Sequence, residues 1–247
     1  MLDTIYVKIK RKDHPASESY WEEFEIPYRP RMNVISVLME IQKNPVNAKG
    51  EATSPVVWES SCLEEVCGSC SMLINGEARQ ACSALVDKLD QPLVLEPFSK
   101  FPCVRDLRVD RTKMFEALKR VQAWVPIDGT YDLGSGPRLS EKDQETAYDL
   151  ARCMTCGCCL EVCPQVSDHS DFIGAAAVSQ AVLFNMHPTG KLHADKRIDS
   201  LMGPGGLADC GNAQNCVKAC PKDIPLTTSI GEMGRQLTKR MFTKLLG

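Results

Sequence analysis

Between Thr4 and Lys10 apolar and polar residues alternate, with Ile5, Val7 and Ile9 on one side, and the alternation returns from Tyr20 to Ile26. A period of two predicts half-buried strands, and the turn-forming stretch from His14 to Ser17 predicts that they pair as a hairpin. In the second strand Tyr20, Phe24 and Ile26 share a side that Glu22 interrupts. Asn33 then precedes an apolar stripe of Val34, Val37, Leu38 and Ile41, the pattern of a capped helix that ends at Asn44 and Pro45. Ser71 to Ile74 and Glu77 to Cys82 flank Asn75 and Gly76, a strong two-residue hairpin signal, and Leu93 to Leu95 predicts one more strand before a boundary near Asp106.

From Asp110 the period lengthens. Met114, Leu118 and Val121 form a helical stripe bounded by Trp124 and Pro126, and the Gly- and Pro-rich stretch from Ile127 to Leu139 predicts a loop. Ser140 with Asp143 resembles a capping box opening the helix that leads to Cys153. Asp171 to Asn185 predicts a helix rich in small residues, Gly174 to Ala177 among them, that ends at His187 and Pro188. Gly203 to Gly206 predicts a turn. Ser229 to Leu246 carries Ile230, Met233, Leu237, Met241 and Leu245 on one face and Arg235, Lys239, Arg240 and Lys244 elsewhere. That basic helix is suited equally to a solvated face or to an anionic partner surface.

The chain of 247 residues is long enough for one large domain or two ordinary ones. Its 43% hydrophobic and 25% charged residues are those of a soluble globular protein. A formal net charge of −3 gives no case for nucleic-acid binding. The most apolar stretch, Phe172 to Phe184, contains Ser179 and Gln180 and is too short to span a membrane. The N-terminus lacks the apolar core of a secretion signal, so the thirteen cysteines point to metal ligation in a reducing compartment rather than to disulfides. Zinc commonly takes two well-separated pairs; three or four cysteines in one tight run suit an iron–sulfur cluster better.

Three cysteine groups carry the chemistry. Cys62, Cys67, Cys70 and Cys82 follow the plant-type C-x4-C-x2-C…C spacing of a [2Fe–2S] site. The predicted hairpin around Asn75 can bring Cys82 back to the loop, and Gly68 permits close approach of backbone to the cluster. The order of hairpin, helix, cluster loop, hairpin and final strand is that of a β-grasp ferredoxin. Further on, Cys153, Cys156, Cys159 and Cys163 with Pro164 follow C-x2-C-x2-C-x3-C-P. Cys210, Cys216 and Cys220 with Pro221 repeat that spacing, except that Ala213 stands in the second cysteine's place. In such pairs the fourth cysteine of each run ligates the other run's cluster. Cys153, Cys156, Cys159 and Cys220 then make a four-thiolate [4Fe–4S] site, whereas Cys163, Cys210 and Cys216 supply three thiolates, the complement of a [3Fe–4S] cluster. Cys103 and Cys158 fall outside the ligand spacing, Cys103 as a buried thiol and Cys158 with a structural or supporting role beside the ligands. His14, His169, His187 and His193 show no ligand pattern, although His169 lies close in sequence to the third group.

These readings predict an α+β chain: a β-grasp plant-type ferredoxin domain over residues 1–106 and an all-α bacterial two-cluster ferredoxin-like domain over residues 107–247. No Rossmann fingerprint, P-loop or activated nucleophile stands beside the cysteines. Bond-breaking chemistry therefore belongs on another polypeptide, and this chain conducts single electrons.

The order of the three groups over nearly the whole chain resembles the iron–sulfur subunits of the succinate dehydrogenase and fumarate reductase family. The stretches Gly205 to Asn212 and Cys220 to Ser229 resemble the branch found in Gram-positive-type bacteria. The resemblance implies a flavoprotein subunit carrying covalent FAD, a membrane-anchor cytochrome b subunit with haem b, and a peripheral position on the cytoplasmic face of the bacterial membrane. It implies electron flow from FAD through the two-iron, four-iron and three-iron clusters to a quinone, menaquinone in that branch, and the reverse flow in fumarate respiration. Where the enterobacterial pattern has a Trp and a His near the quinone, this chain has Asp168 and Gly211, so of the quinone contacts only Pro164 is carried over. A free ferredoxin-like shuttle, or the arm of a thiol-dependent fumarate reductase or heterodisulfide-reductase-like complex, is the other class the cysteines allow. A soluble monomer would mark the shuttle, and a further Cys-Cys-Gly domain would mark the arm.

Overall fold

A computed structural model describes residues 3–125 and 138–246. Most of the loop expected between Ile127 and Leu139 lies outside the described residues. The chain divides into two compact units, Met1–Arg111 with Met154–Glu161, and Thr112–Cys153 with Val162–Gly247.

In the first unit the alternating segments become β1 (Thr4–Arg11) and β2 (Tyr20–Pro27), paired antiparallel with Ile5 opposite Ile26 and Val7 opposite Phe24. Helix α1 (Val34–Lys43) follows, capped by the Asn33 side chain, which accepts from Ser36 N at 2.9 Å. Strands β3 (Ser71–Ile74) and β4 (Glu77–Gln80) close around Asn75, and β5 (Leu93–Glu96) completes a sheet of order β2-β1-β5-β3-β4. β5 runs parallel to β1 and antiparallel to β3. This is the β-grasp arrangement: the apolar stripe of α1 and the inward residues of β1 and β5, with Ile5, Val7, Ile9, Leu38, Ile41 and Leu95, share one core. Each such side chain contributes about 1.5–3 kcal/mol by leaving water.

The interruption at Glu22 has a physical reason. β1 runs one residue past the expected Lys10, and the side chain of Arg11 is fully buried. Its guanidinium pairs with Glu22 and reaches Asp106 Oδ1 at 2.8 Å. Asp106, also fully buried, accepts the amides of Lys12 at 3.2 Å and Val57 at 2.8 Å. A charged centre thus replaces apolar packing at this end of the hairpin, while Tyr20, expected on the inward side, remains 39% exposed. A second small ladder joins β6 (Cys103–Arg105) to β7 (Arg108–Val109) around Asp106.

The elements of the second unit are helical: α2 (Thr112–Arg120), α3 (Glu141–Ala151), α5 (Gly174–Met186), α6 (Ala194–Ser200), α7 (Asn215–Lys218) and α8 (Leu226–Leu246), with short 3₁₀ turns. α4 (Cys158–Glu161) belongs to the first unit. Ser140 caps α3, accepting from Asp143 N at 3.1 Å. The small residues of α5 are buried and let it pack against both α3 and α8. Arg197 is wholly buried and donates to the carbonyls of Gln122, Trp124 and Gly190 at 2.7–2.9 Å, which ties α6 to the end of α2. The apolar stripe of α8 is buried only in its first half: Met233 and Leu237 are covered, whereas Met241 and Leu245 are 52% and 78% exposed.

Candidate metal centres

The loop from Cys62 to Cys70 is wound by backbone that turns left-handed at Leu63, Glu65 and Gly68. Such alternation aims successive amides into one concavity, a nest for anions. The sulfurs occupy it. Glu64, Val66 and Cys67 aim their amides at Cys62 Sγ at 3.3–3.4 Å, Ser69 donates to Cys67 Sγ at 3.5 Å, and Glu65 donates to Cys82 Sγ at 3.3 Å. Cys82 arrives just past the β3–β4 hairpin, where its carbonyl accepts from Asn33 Nδ2 at 2.8 Å. The residue that caps α1 therefore also anchors the fourth cysteine, a role not readable from the capping pattern. Cys70 and Cys82 are both buried.

The environment differs between these thiols. Burial and the neighbouring Cys82 push Cys70 up to about 12. Burial opposes ionisation of Cys67 too, but hydrogen bonds from Ser69 and Cys62 take it down to about 6. Four cysteines inside a ring of amide donors fit an anionic iron–sulfur cluster, because those amides offset the negative charge that thiolates and sulfides bring. Among the described residues no group of three or more His, Cys, Asp or Glu is placed to share a single metal ion. In a cluster each thiolate meets its own iron, so the two requirements differ.

Gly68 has a role beyond the loop. It lies at φ +72°, and an added Cβ would meet Cys156 Cα at 2.7 Å. Its carbonyl accepts from Arg111 Nη1 at 3.0 Å. The segment carrying Cys156, Cys158 and Cys159, all buried, thus packs directly on the first cysteine loop. Glu161 secures it: the buried carboxylate accepts from Ser99 N at 2.9 Å, Ser99 Oγ at 2.6 Å and Lys100 N at 3.0 Å. Cys156 is held down to about 7, chiefly by a hydrogen bond from Cys158, whose own thiol that contact and burial push upward. Cys153, at the end of α3, and Cys220, just past α7, belong to the second unit.

Within the second unit Cys163, Cys210 and Cys216 come together. Burial raises the Cys216 thiol, and the charges of Cys163 and Cys210 raise it further. The three line one pocket, with Pro164, Ala213 and Ile230 in its wall. Asn212 and Gln214 are left-handed, so this loop curls as the first one does. Asn215 Nδ2 donates to the Val162 carbonyl at 3.1 Å and joins α7 to the run that ends at Cys163. The methyl group of Ala213 offers no ligand to the pocket. Gln165, which the spacing did not single out, also lines it beside Gly211. His169 is exposed and does not line the pocket. Cys103 is half-buried and donates to the Asp106 carbonyl at 3.3 Å.

A β-grasp unit with an amide-ringed four-cysteine loop, together with a helical unit carrying further cysteine runs, defines a multi-cluster iron–sulfur protein of ferredoxin type. Residues 6–116 match the family model of a 2Fe-2S iron-sulfur cluster binding domain, and residues 149–224 match that of a 4Fe-4S dicluster domain. The chain is 59% identical over 244 residues to the succinate dehydrogenase iron-sulfur subunit of Bacillus subtilis, covering 99% of this chain and 96% of that one. It is 28% identical over 226 residues to the fumarate reductase iron-sulfur subunit of Wolinella succinogenes, covering 90% and 91%. In fold it resembles a chain of the Mycobacterium smegmatis Sdh1 complex in the apo form, with a TM-score of 0.79, 21% identity and 97% of both chains covered. The chain belongs to the family of iron–sulfur subunits of succinate dehydrogenase and fumarate reductase, an oxidoreductase complex. Among the described residues no helix is long and apolar enough to cross a membrane.

Proposed function

We propose that the chain conducts electrons between an FAD-containing flavoprotein subunit and a quinone, menaquinone, at a cytochrome b membrane anchor carrying haem b. It sits peripherally on the cytoplasmic face of the membrane, with residues 1–106 as the two-iron domain and residues 107–247 as the two-cluster domain. When bound, the clusters supply one-electron carriers in the order [2Fe–2S], [4Fe–4S], [3Fe–4S]. Cys62, Cys67, Cys70 and Cys82 hold the first, Cys153, Cys156, Cys159 and Cys220 the second, and Cys163, Cys210 and Cys216 the third. No residue of this chain acts as acid, base or nucleophile.

The observation that carries the reading is the meeting of Cys163, Cys210 and Cys216 at one pocket whose wall includes Ala213. Three thiolates place less negative charge on a cluster than four, so these residues favour electron acceptance at the far end of the chain. Pro164 lines the same pocket, which supports its place near the quinone. The test is isolation from membranes in mild detergent, followed by subunit identification, metal analysis and EPR. About nine iron and ten sulfide per chain, with a three-iron signal and co-purifying flavin, are expected from the ligand count. Iron far below that number, or a colourless soluble monomer, would overturn the reading.

A further inference from the structure

Arg111 is the last residue of the first unit's long segment, and its half-buried guanidinium grips the first cysteine loop. Nη1 donates to the Gly68 carbonyl at 3.0 Å, and Nη2 donates to the carbonyls of Ser69 at 3.0 Å and Ser71 at 3.4 Å. Ser71 Oγ donates to the same Gly68 carbonyl at 2.7 Å and holds it from a second side. Nε is buried and has no hydrogen-bond partner among the described residues. The three carbonyls are neutral, so these bonds leave the guanidinium charge uncancelled.

A trans peptide group carries its C=O and N–H on opposite sides. Turning the Gly68 carbonyl to Arg111 therefore turns the Ser69 amide the other way, and that amide donates to Cys67 Sγ at 3.5 Å. Turning the Ser69 carbonyl to Arg111 likewise faces the Cys70 amide away from the guanidinium. The cation thus stands behind a stretch of backbone whose front faces a cysteine sulfur.

Packing alone does not account for this arrangement. An Arg stem can cover apolar surface while its head group stays in water, and a buried nitrogen without a partner is costly. An anionic cluster in front of the loop would offset that cost, because charges interact well beyond hydrogen-bonding distance where the dielectric is low. Reduction makes a cluster one charge more negative. A cation behind the loop and amides aimed at its sulfurs therefore favour the reduced state and raise the midpoint potential.

We propose that Arg111 is a positioning residue for the two-iron centre: it clamps the carbonyls of Gly68 and Ser69, keeps the amide between them aimed at Cys67, and with its charge raises the potential of the cluster that the loop holds. This rests on the proposed function above, in which Cys62, Cys67, Cys70 and Cys82 hold that cluster.

The experiment is an EPR-monitored redox titration of the intact membrane complex. Arg111→Met keeps a long side chain without charge or donors. It is expected to lower the two-iron midpoint enough for about a tenfold fall in the ratio of reduced to oxidised cluster at fixed potential, 59 mV for a one-electron couple, with the three-iron midpoint unchanged. Arg111→Lys keeps the charge but not the planar fork, and its two-iron midpoint is expected between those of Arg111→Met and the native protein. A native midpoint in Arg111→Met would overturn the proposal, and so would an Arg111→Lys midpoint outside that interval. If Arg111→Met fails to assemble the cluster, Arg111→Lys decides: a midpoint below native supports the clamp, and one at or above native refutes it. Failure of the ligand assignment reads differently: a Cys70→Ser complex would then retain a native two-iron signal whatever stands at position 111.

Discussion

Replacing Gly68 by alanine tests whether the first cysteine loop and the segment bearing Cys156 are held at a fixed approach. The new Cβ would lie 2.7 Å from Cα and 2.8 Å from Cβ of Cys156, and 3.0 Å from the Met154 carbonyl oxygen. Gly68 also has φ +72°, and a left-handed conformation costs an L residue about 1–2 kcal/mol. The overlap is mainly with backbone, which has no rotamer to escape into, so loop or segment must move at a further cost of about 1–3 kcal/mol. Gly76 separates the two contributions, because it has φ +81° but nothing within 4 Å of an added Cβ. Gly68→Ala should therefore destabilise by about 2–5 kcal/mol and Gly76→Ala by about 1–2 kcal/mol, on those same two costs. Unfolding of a cluster protein is not reversible, so the comparison is of thermal midpoints at one scan rate, with EPR of the assembled complex beside it. Only Gly68→Ala should broaden or shift the cluster signals. Equal losses of stability in the two variants, with unchanged spectra in both, would refute the close-approach argument.

Three further outcomes are expected. Ala213→Cys should supply a fourth thiolate to the pocket of Cys163, Cys210 and Cys216, replacing the three-iron EPR signal with that of a four-iron cluster of lower potential; a persisting three-iron signal would count against this ligand set. Asp106→Ala leaves the buried Arg11 guanidinium with Glu22 as its remaining carboxylate and Ser54 as a neutral acceptor, and leaves the amides of Lys12 and Val57 without their acceptor, a loss of about 3–5 kcal/mol by thermal denaturation of the complex; a change below about 1 kcal/mol would show the site to be hydrated. Asp199 is held down to about 2 by hydrogen bonds from Arg240 and Lys244. Because its folded value lies below the usual 3.8, the stabilisation is present above that pH and is lost as pH falls from about 4 toward 2. The group is 35% exposed, so the effect is screened to no more than about 1 kcal/mol, and Asp199→Asn should remove it from the acid limb of a stability–pH curve.

Much of this protein was legible in local pattern. The alternation around Ile5 and Phe24, the Asn33 cap, the Asn75 turn and the Ser140 cap each depend on interactions within a few residues, and each appears in the structure. The cysteine spacings marked out the candidate ligands for a similar reason: short intervals between thiols are themselves geometric constraints. The stripe on α8 was legible as a helix but not in its burial, since Met241 and Leu245 match the period and remain exposed. Period shows which residues share a face, not how far along that face a neighbour extends.

The remaining features join residues far apart in the chain, and no local pattern carries them. Arg11 reads as the polar end of a strand until folding sets it against Asp106, 95 positions away, and the fault at Glu22 becomes an ion pair. Gln80 reads as a strand residue and Cys158 as a surplus cysteine until they meet across 78 positions in a fully buried site. By itself the sequence determined the longer periodic elements, the family resemblance and the candidate ligands, because spacing and period are properties of neighbours, whereas the short β6, β7, α4, α6 and α7 carry no such pattern. Only the tertiary structure decided which polar groups surround those ligands, because burying a charge or an amide demands a partner that the chain supplies from wherever the fold brings one.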